Sequence, residues 1–142
     1  MRNRIIYLLF SVCICCLFFQ ACESEEQITY KRYYVNGKGL YEKYCQNCHN
    51  QDGTGLVDLY PPLTGTLYLK QNKTRLSCII KYGLNGKIKL TEKEYEGEMP
   101  ANSDLSDIDV AQLIVYITNS FGNKQGFYDA TAANKDLRNC KN

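Results

Sequence analysis

Cys45-Gln46-Asn47-Cys48-His49 places two thiols and an imidazole within five residues. Three chemistries use such a set: zinc ligation, dithiol redox exchange, and attachment of c-type haem through C-x-x-C-H. On a helix Cys45 and Cys48 are neighbours, so both thiols can reach the two vinyl groups along one porphyrin edge, and His49 is then carried under the iron. A zinc knuckle needs a second half-site, and Cys78 and Cys140, 62 residues apart, do not form a pair of that kind. A thioredoxin-like dithiol needs βαβ patterning, which the chain lacks. With eight cysteines and a single histidine in 142 residues, a chance match is rare, and the motif points to one covalently bound haem c.

The second axial ligand follows from scarcity. His49 is the lone histidine, so two histidines cannot ligate the iron within one molecule, and Met99 is the single methionine besides Met1. A lone methionine is commonly packing material. Here it sits in Gly97-Glu98-Met99-Pro100, where a freed and then fixed backbone suits a loop crossing the haem face. His/Met ligation raises the reduction potential and leaves no open position, which predicts a single-electron carrier with no small-molecule substrate. The alternative is a haem enzyme or gas sensor with an open sixth position. No Ser/His/Asp set or Gly-rich phosphate loop supports hydrolase or nucleotide chemistry.

The elements that must position these residues begin after an export segment. Arg2 and Arg4 precede the uncharged apolar run Ile5 to Phe19, the pattern of a signal peptide over residues 1–21. A retained membrane span is the alternative, but fifteen residues fall short of the roughly 20 needed. Phe19-Gln20-Ala21-Cys22 resembles the lipobox of bacterial lipoproteins, with Phe19 where Leu is preferred. That resemblance implies lipidation of Cys22 and a protein held at the periplasmic or surface side of a membrane. Ser24-Glu25-Glu26 resembles the acidic signal of surface-directed lipoproteins.

Without residues 1–21 the chain carries 15 basic and 15 acidic residues, so a nucleic-acid partner is not expected. The charges are segregated: Thr66 to Lys89 holds six Lys or Arg and no acid, and Leu90 to Val110 holds seven acids and one Lys. The acidic stretch around Met99 either docks redox partners that are basic where they meet it or simply solvates a loop.

Residues 22–36 read as a flexible, Tyr-rich tether, 37–122 as the folded domain and 123–142 as a polar tail with little to bury. Leu40, Tyr41 and Tyr44 recur at helical spacing over Lys38 to Cys48. Asn72 can cap a second helix with Leu76, Ile79 and Ile80 on one face and Gly83 at its end. Ser106 to Asp109 is a capping box, with Leu105 and Val110 as its staple and Val110, Leu113, Ile114 and Ile117 as an apolar stripe. No stretch alternates with period two, so the expected fold is all-α. Cys78, opposite the apolar face of its helix, is expected to be exposed. In an oxidising compartment this favours a Cys78–Cys140 disulfide pinning the tail, worth on the order of 4 kcal/mol, with two free thiols as the alternative.

From Gly37 to Gly122 the chain resembles class I cytochromes c. Gly37 and Tyr41 match a glycine and an aromatic before the haem motif, and Leu113 and Tyr116 match final-helix residues that pack across that glycine. Pro61-Pro62-Leu63-Thr64-Gly65 matches P-x-L-x-G, whose proline carbonyl receives the N–H of the haem histidine. Ile80 to Gly86 matches I-x-x-G-x-x-G, and Met99-Pro100 the axial-methionine loop. Asn119-Ser120-Phe121-Gly122-Asn123 resembles N-S-W-G-N, with Phe121 in place of Trp. The resemblance implies a cytochrome c fold with a few helices around one haem, and redox proteins as donor and acceptor.

Overall fold

The computed structural model describes residues 3–7, 23–56, 59–65, 67–90 and 93–140. The signal segment from residue 8 onward and Cys22 lie outside them. Helix α1, Glu25–Tyr44, starts at Ser24, whose hydroxyl accepts the Gln27 N–H, and carries Glu25 and Glu26 in its first turn. The stretch expected to be a flexible tether is therefore helical from residue 25. Its tyrosines hold it there: Tyr33 meets Phe127 with ring centroids 5.0 Å apart, Tyr34 meets Tyr116 at 5.2 Å, and the hydroxyls of Tyr34 and Ser120 lie 2.9 Å apart.

Helix α5, Asp107–Asn119, is the centre of the fold. Both halves of the capping box form: the Ser106 hydroxyl accepts the Asp109 N–H, and the Asp109 carboxylate accepts the Ser106 N–H. Every residue from Val110 to Thr118 is buried, as expected of a helix covered on all sides. Helix α1 packs along it and crosses closest at Gly37, where a Cβ would collide with the Gln112 carbonyl and stand 2.9 Å from the Tyr116 Cβ. Gln112 and Tyr116 thus meet this glycine, while Leu113 lines the cleft described below.

Helices α2 (Gln46–His49), α3 (Leu67–Gln71) and α4 (Lys73–Tyr82) complete the body of the domain. Leu76, Ile79 and Ile80 of α4 are buried, and Gly83, at φ +79°, ends the helix by donating its N–H to Ile79. Asn72 precedes α4 without a side-chain cap. Its amide instead donates to the Tyr68 carbonyl at 3.0 Å.

Two expectations are corrected by the remaining elements. The stretch 123–142, expected as a polar tail with little to bury, is packed through residue 140: helix α6, Ala130–Arg138, capped by Asp129, packs on α5 and α4 with Tyr128 and Ala133 buried. A disulfide joins Cys78 to Cys140, and Cys78 is half-buried instead of exposed. Beside it the Tyr128 hydroxyl donates to the Asp136 carboxylate (2.7 Å) and receives from Ser77 (2.8 Å). The fold is mostly helical, as expected, with one small sheet. Strands β1 (Ile88–Leu90) and β2 (Lys93–Tyr95) pair antiparallel with Ile88 opposite Tyr95. Among the described residues no helix is long and apolar enough to cross a membrane.

Candidate haem site

Helix α1 ends at Cys45, whose N–H still bonds to Tyr41 (2.9 Å), and α2 adds one turn that ends on His49. The two thiols therefore sit where one helix passes into the next, and neither is in a disulfide. Asn50, at φ +61°, turns the chain away. Backbone and side chains then lock the turn: Tyr41 donates to the Asn50 carbonyl (2.6 Å), the Asn50 amide to Gly55 (2.5 Å), and the Gly55 N–H to His49 (3.0 Å). Gly53 lies under the Phe121 ring and Gly55 against the Tyr60–Pro61 backbone, too close in both cases for a Cβ.

This loop returns as Pro61, whose carbonyl lies 3.0 Å from His49 Nδ1. A donating Nδ1–H fixes the tautomer and leaves the Nε2 lone pair for a metal. Burial lowers the His49 pKa, opposed by the Pro61 hydrogen bond, so the ring is held neutral as a ligand must be. Burial, followed by the neighbouring Cys48, pushes the Cys45 thiol up to about 12.

Cys45, Cys48 and His49 open onto a cleft whose walls include Leu69, Leu76, Ile79, Ile80, Leu113 and Ile117. Met99 lines the same cleft, with Leu84, Ile88, Leu90 and Tyr95. The methionine is held by a two-bond bridge to Leu84, 2.9 Å in each direction. Gly83 packs so closely on the Met99 carbonyl that no side chain fits there. No Lys or Arg is among the lining residues. A paired thiol edge, an oriented imidazole, a thioether and apolar walls suit a flat hydrophobic macrocycle carrying iron, and the residues fit a haem.

Residues 34–117 match the family model described as cytochrome C oxidase, cbb3-type, subunit III. The chain belongs to the c-type cytochromes. A cytochrome c-552 of Thermus thermophilus is 30% identical over 105 residues, covering 69% of this chain and 79% of that protein. A fructose dehydrogenase cytochrome subunit from Gluconobacter japonicus is 34% identical over 106 residues, 69% of this chain but 21% of that larger protein. An alcohol dehydrogenase (quinone) cytochrome c subunit from Gluconacetobacter polyoxogenes is 33% identical over 93 residues, 63% of this chain and 19% of the relative. The cytochrome accordingly carries covalently attached haem c and works as an electron-transfer protein, not as an enzyme.

The hairpin has no distinct signal in the sequence, while Asn123 and Phe121 stand out there only through their likeness to N-S-W-G-N. Asn123 donates to both the Leu63 and Ile117 carbonyls (2.7 and 3.0 Å), tying the P-x-L loop to the end of α5. The hairpin residues Ile88, Leu90 and Tyr95 add a wall to the cleft. Phe121, at φ +56°, fills its place with a ring 5.3 Å from Tyr41 and 5.6 Å from Tyr116.

Proposed function

We propose that the cytochrome is an exported, lipid-anchored single-electron carrier in which His49 and Met99 ligate the haem iron and Cys45 and Cys48 hold the porphyrin. The observation that carries this reading is the presence of His49 and Met99 on one apolar cleft, with Pro61 orienting the imidazole. When bound, the haem supplies reversible one-electron chemistry, and thioether ligation favours its reduced form.

The chain's own residues do the rest. Pro61 keeps the proton on Nδ1 and the lone pair on Nε2. The Leu84 bridge sets the position of Met99, and the leucine and isoleucine walls exclude water from the cleft. Carbon monoxide added to the reduced cytochrome tests the ligand pair: an unchanged Soret band is expected, and rapid binding overturns Met99 as ligand and favours the open-site alternative.

Donor and acceptor are redox proteins, and relatives named as cytochrome subunits of dehydrogenases support a partner of that class. Glu94, Glu96 and Glu98 are exposed beside Met99, which suits a partner basic at its contact surface. Electron-transfer rates should then fall steeply with added salt, and a flat response removes the acidic docking surface. The signal segment 1–21 and the lipid on Cys22 are supported by Arg2, Arg4, the apolar run and Ala21-Cys22. A mass spectrum of the amino-terminal peptide, showing diacylglyceryl cysteine at residue 22 or an uncleaved leader, decides between anchor and no anchor.

A further inference from the structure

Helix α1 has two faces. One carries the buried Gly37 and Tyr41, flanked by Tyr30, Tyr33, Tyr34 and Leu40, and packs against the core. Diametrically opposite, Ile28, Arg32, Val35 and Gly39 fall at i, i+4, i+7 and i+11 and make a single stripe. Ile28 is 48% exposed and Val35 65%. A side chain at Gly39 would meet no atom within 4 Å. Packing within the domain thus gives no reason for a glycine, although glycine weakens a helix interior. It does let the backbone lie close to a flat surface.

Charge on this face is mixed but led by cations. Lys31 pairs with Glu23, Lys38 lies 3.6 Å from Glu42, and Arg32 makes no ion pair among the described residues. The helix cannot swing away from the domain, because Tyr30, Tyr33 and Tyr34 are held by Phe127, Tyr116 and Ser120. Glu25 follows Cys22 by three residues, so at most about 10 Å of extended chain precedes a helix roughly 30 Å long. A domain on so short a leash touches the lipid headgroups.

We infer that the Ile28–Arg32–Val35–Gly39 face of α1 rests on the bilayer surface, with its apolar side chains at the acyl boundary and Arg32 against anionic phosphates. The inference builds on the lipid-anchor reading of Cys22. It places α1 along the membrane and carries the haem cleft at a fixed height, which suits a donor or acceptor embedded in the same membrane.

Spin labelling tests it on the full-length, haem-loaded cytochrome in phosphatidylethanolamine and phosphatidylglycerol vesicles. Nitroxides at Ile28→Cys and Val35→Cys are compared with one at Ile108→Cys, an exposed position on α5. Collision with oxygen relative to a water-soluble nickel chelate should be severalfold higher at 28 and 35 than at 108, and Arg32→Glu should reduce that excess. Water-like values at all three sites, on protein whose Cys22 peptide bears its lipid, overturn the docking face and leave the anchor intact. Mutual broadening of the labels at 35 reveals a second copy on the face and also overturns it. A Cys22 peptide without lipid overturns the anchor. The same labelled protein mixed with preformed vesicles then judges the face alone: excess at 28 and 35 sustains it and none overturns it.

Discussion

The two sides of the haem cleft are built differently. On the His49 side a short loop is bonded at nearly every turn: Tyr41 to Asn50, Asn50 and His49 to Gly55, Gly53 to Leu63, and Pro61 to the imidazole. On the Met99 side the backbone bridge to Leu84 and the hairpin carry the wall, closed at its open end by the exposed pair Lys87–Glu96, 3.6 Å apart. One side has its geometry enforced by the chain alone. The other is a flap held by that bridge and by Asn102, whose amide donates to the Ile80 carbonyl at 3.2 Å, and its apolar side chains face the cleft. On the proposed haem attachment, the contrast makes the histidine-bearing side the platform, which the methionine side completes.

Four experiments test that contrast. The largest effect is expected for Cys45→Ala combined with Cys48→Ala, which removes both proposed attachment points. No haem should remain on the chain in a denaturing gel stained for haem, and retained covalent haem would refute the platform. Next comes Met99→Ala. It should keep the covalent haem, lose about 2 kcal/mol of stability to denaturant, and bind carbon monoxide in the reduced state. Loss of the haem from this variant would make the two sides equivalent.

Tyr41→Phe strips the donor from the half-buried Asn50 carbonyl on the platform side. A loss of about 1 to 2 kcal/mol is expected in the midpoint of denaturant unfolding, with the methionine ligation spectrum unchanged. The smallest effect belongs to Lys87→Ala on the flap, where an ion pair exposed on both partners contributes at most about 0.5 kcal/mol. A larger loss there would show that the hairpin is more than a cover.

The platform was legible in the sequence because its chemistry is local. Cys45, Cys48 and His49 lie within five residues, and the Pro61 contact spans twelve. The capping box at Ser106 and the glycine stop at Gly83 were equally readable, since caps depend on residues three or four apart. What escaped detection depends on contacts distant in sequence. The amino-terminal half of α1 has apolar side chains on both faces, Tyr30, Tyr33 and Tyr34 inward and Ile28 and Val35 outward. No single stripe announces a helix, and Phe127 supplies the ordering from 94 residues away. Helix α6 buries only a small Ala133, and the buried residue just before it is the polar Tyr128, so the stretch reads as a solvated tail. The hairpin strands are three residues each, too short for alternation to be distinguished from chance.

The bridge between Cys78 and Cys140 has a consequence for how the molecule is made. On the proposed attachment, thioether formation at Cys45 and Cys48 would add each thiol across a vinyl group, so both sulfurs would have to arrive reduced. Cys78 and Cys140 must instead give up two electrons to an oxidant. One polypeptide therefore presents its maturation machinery with four sulfurs that need opposite treatments, and two of them stand only three residues apart, where a premature disulfide is easy to form. The packing of α6 on α4 brings Cys140 to Cys78 and keeps that pair away from Cys45 and Cys48, which makes a carboxy-terminal appendix a sorting device for thiols.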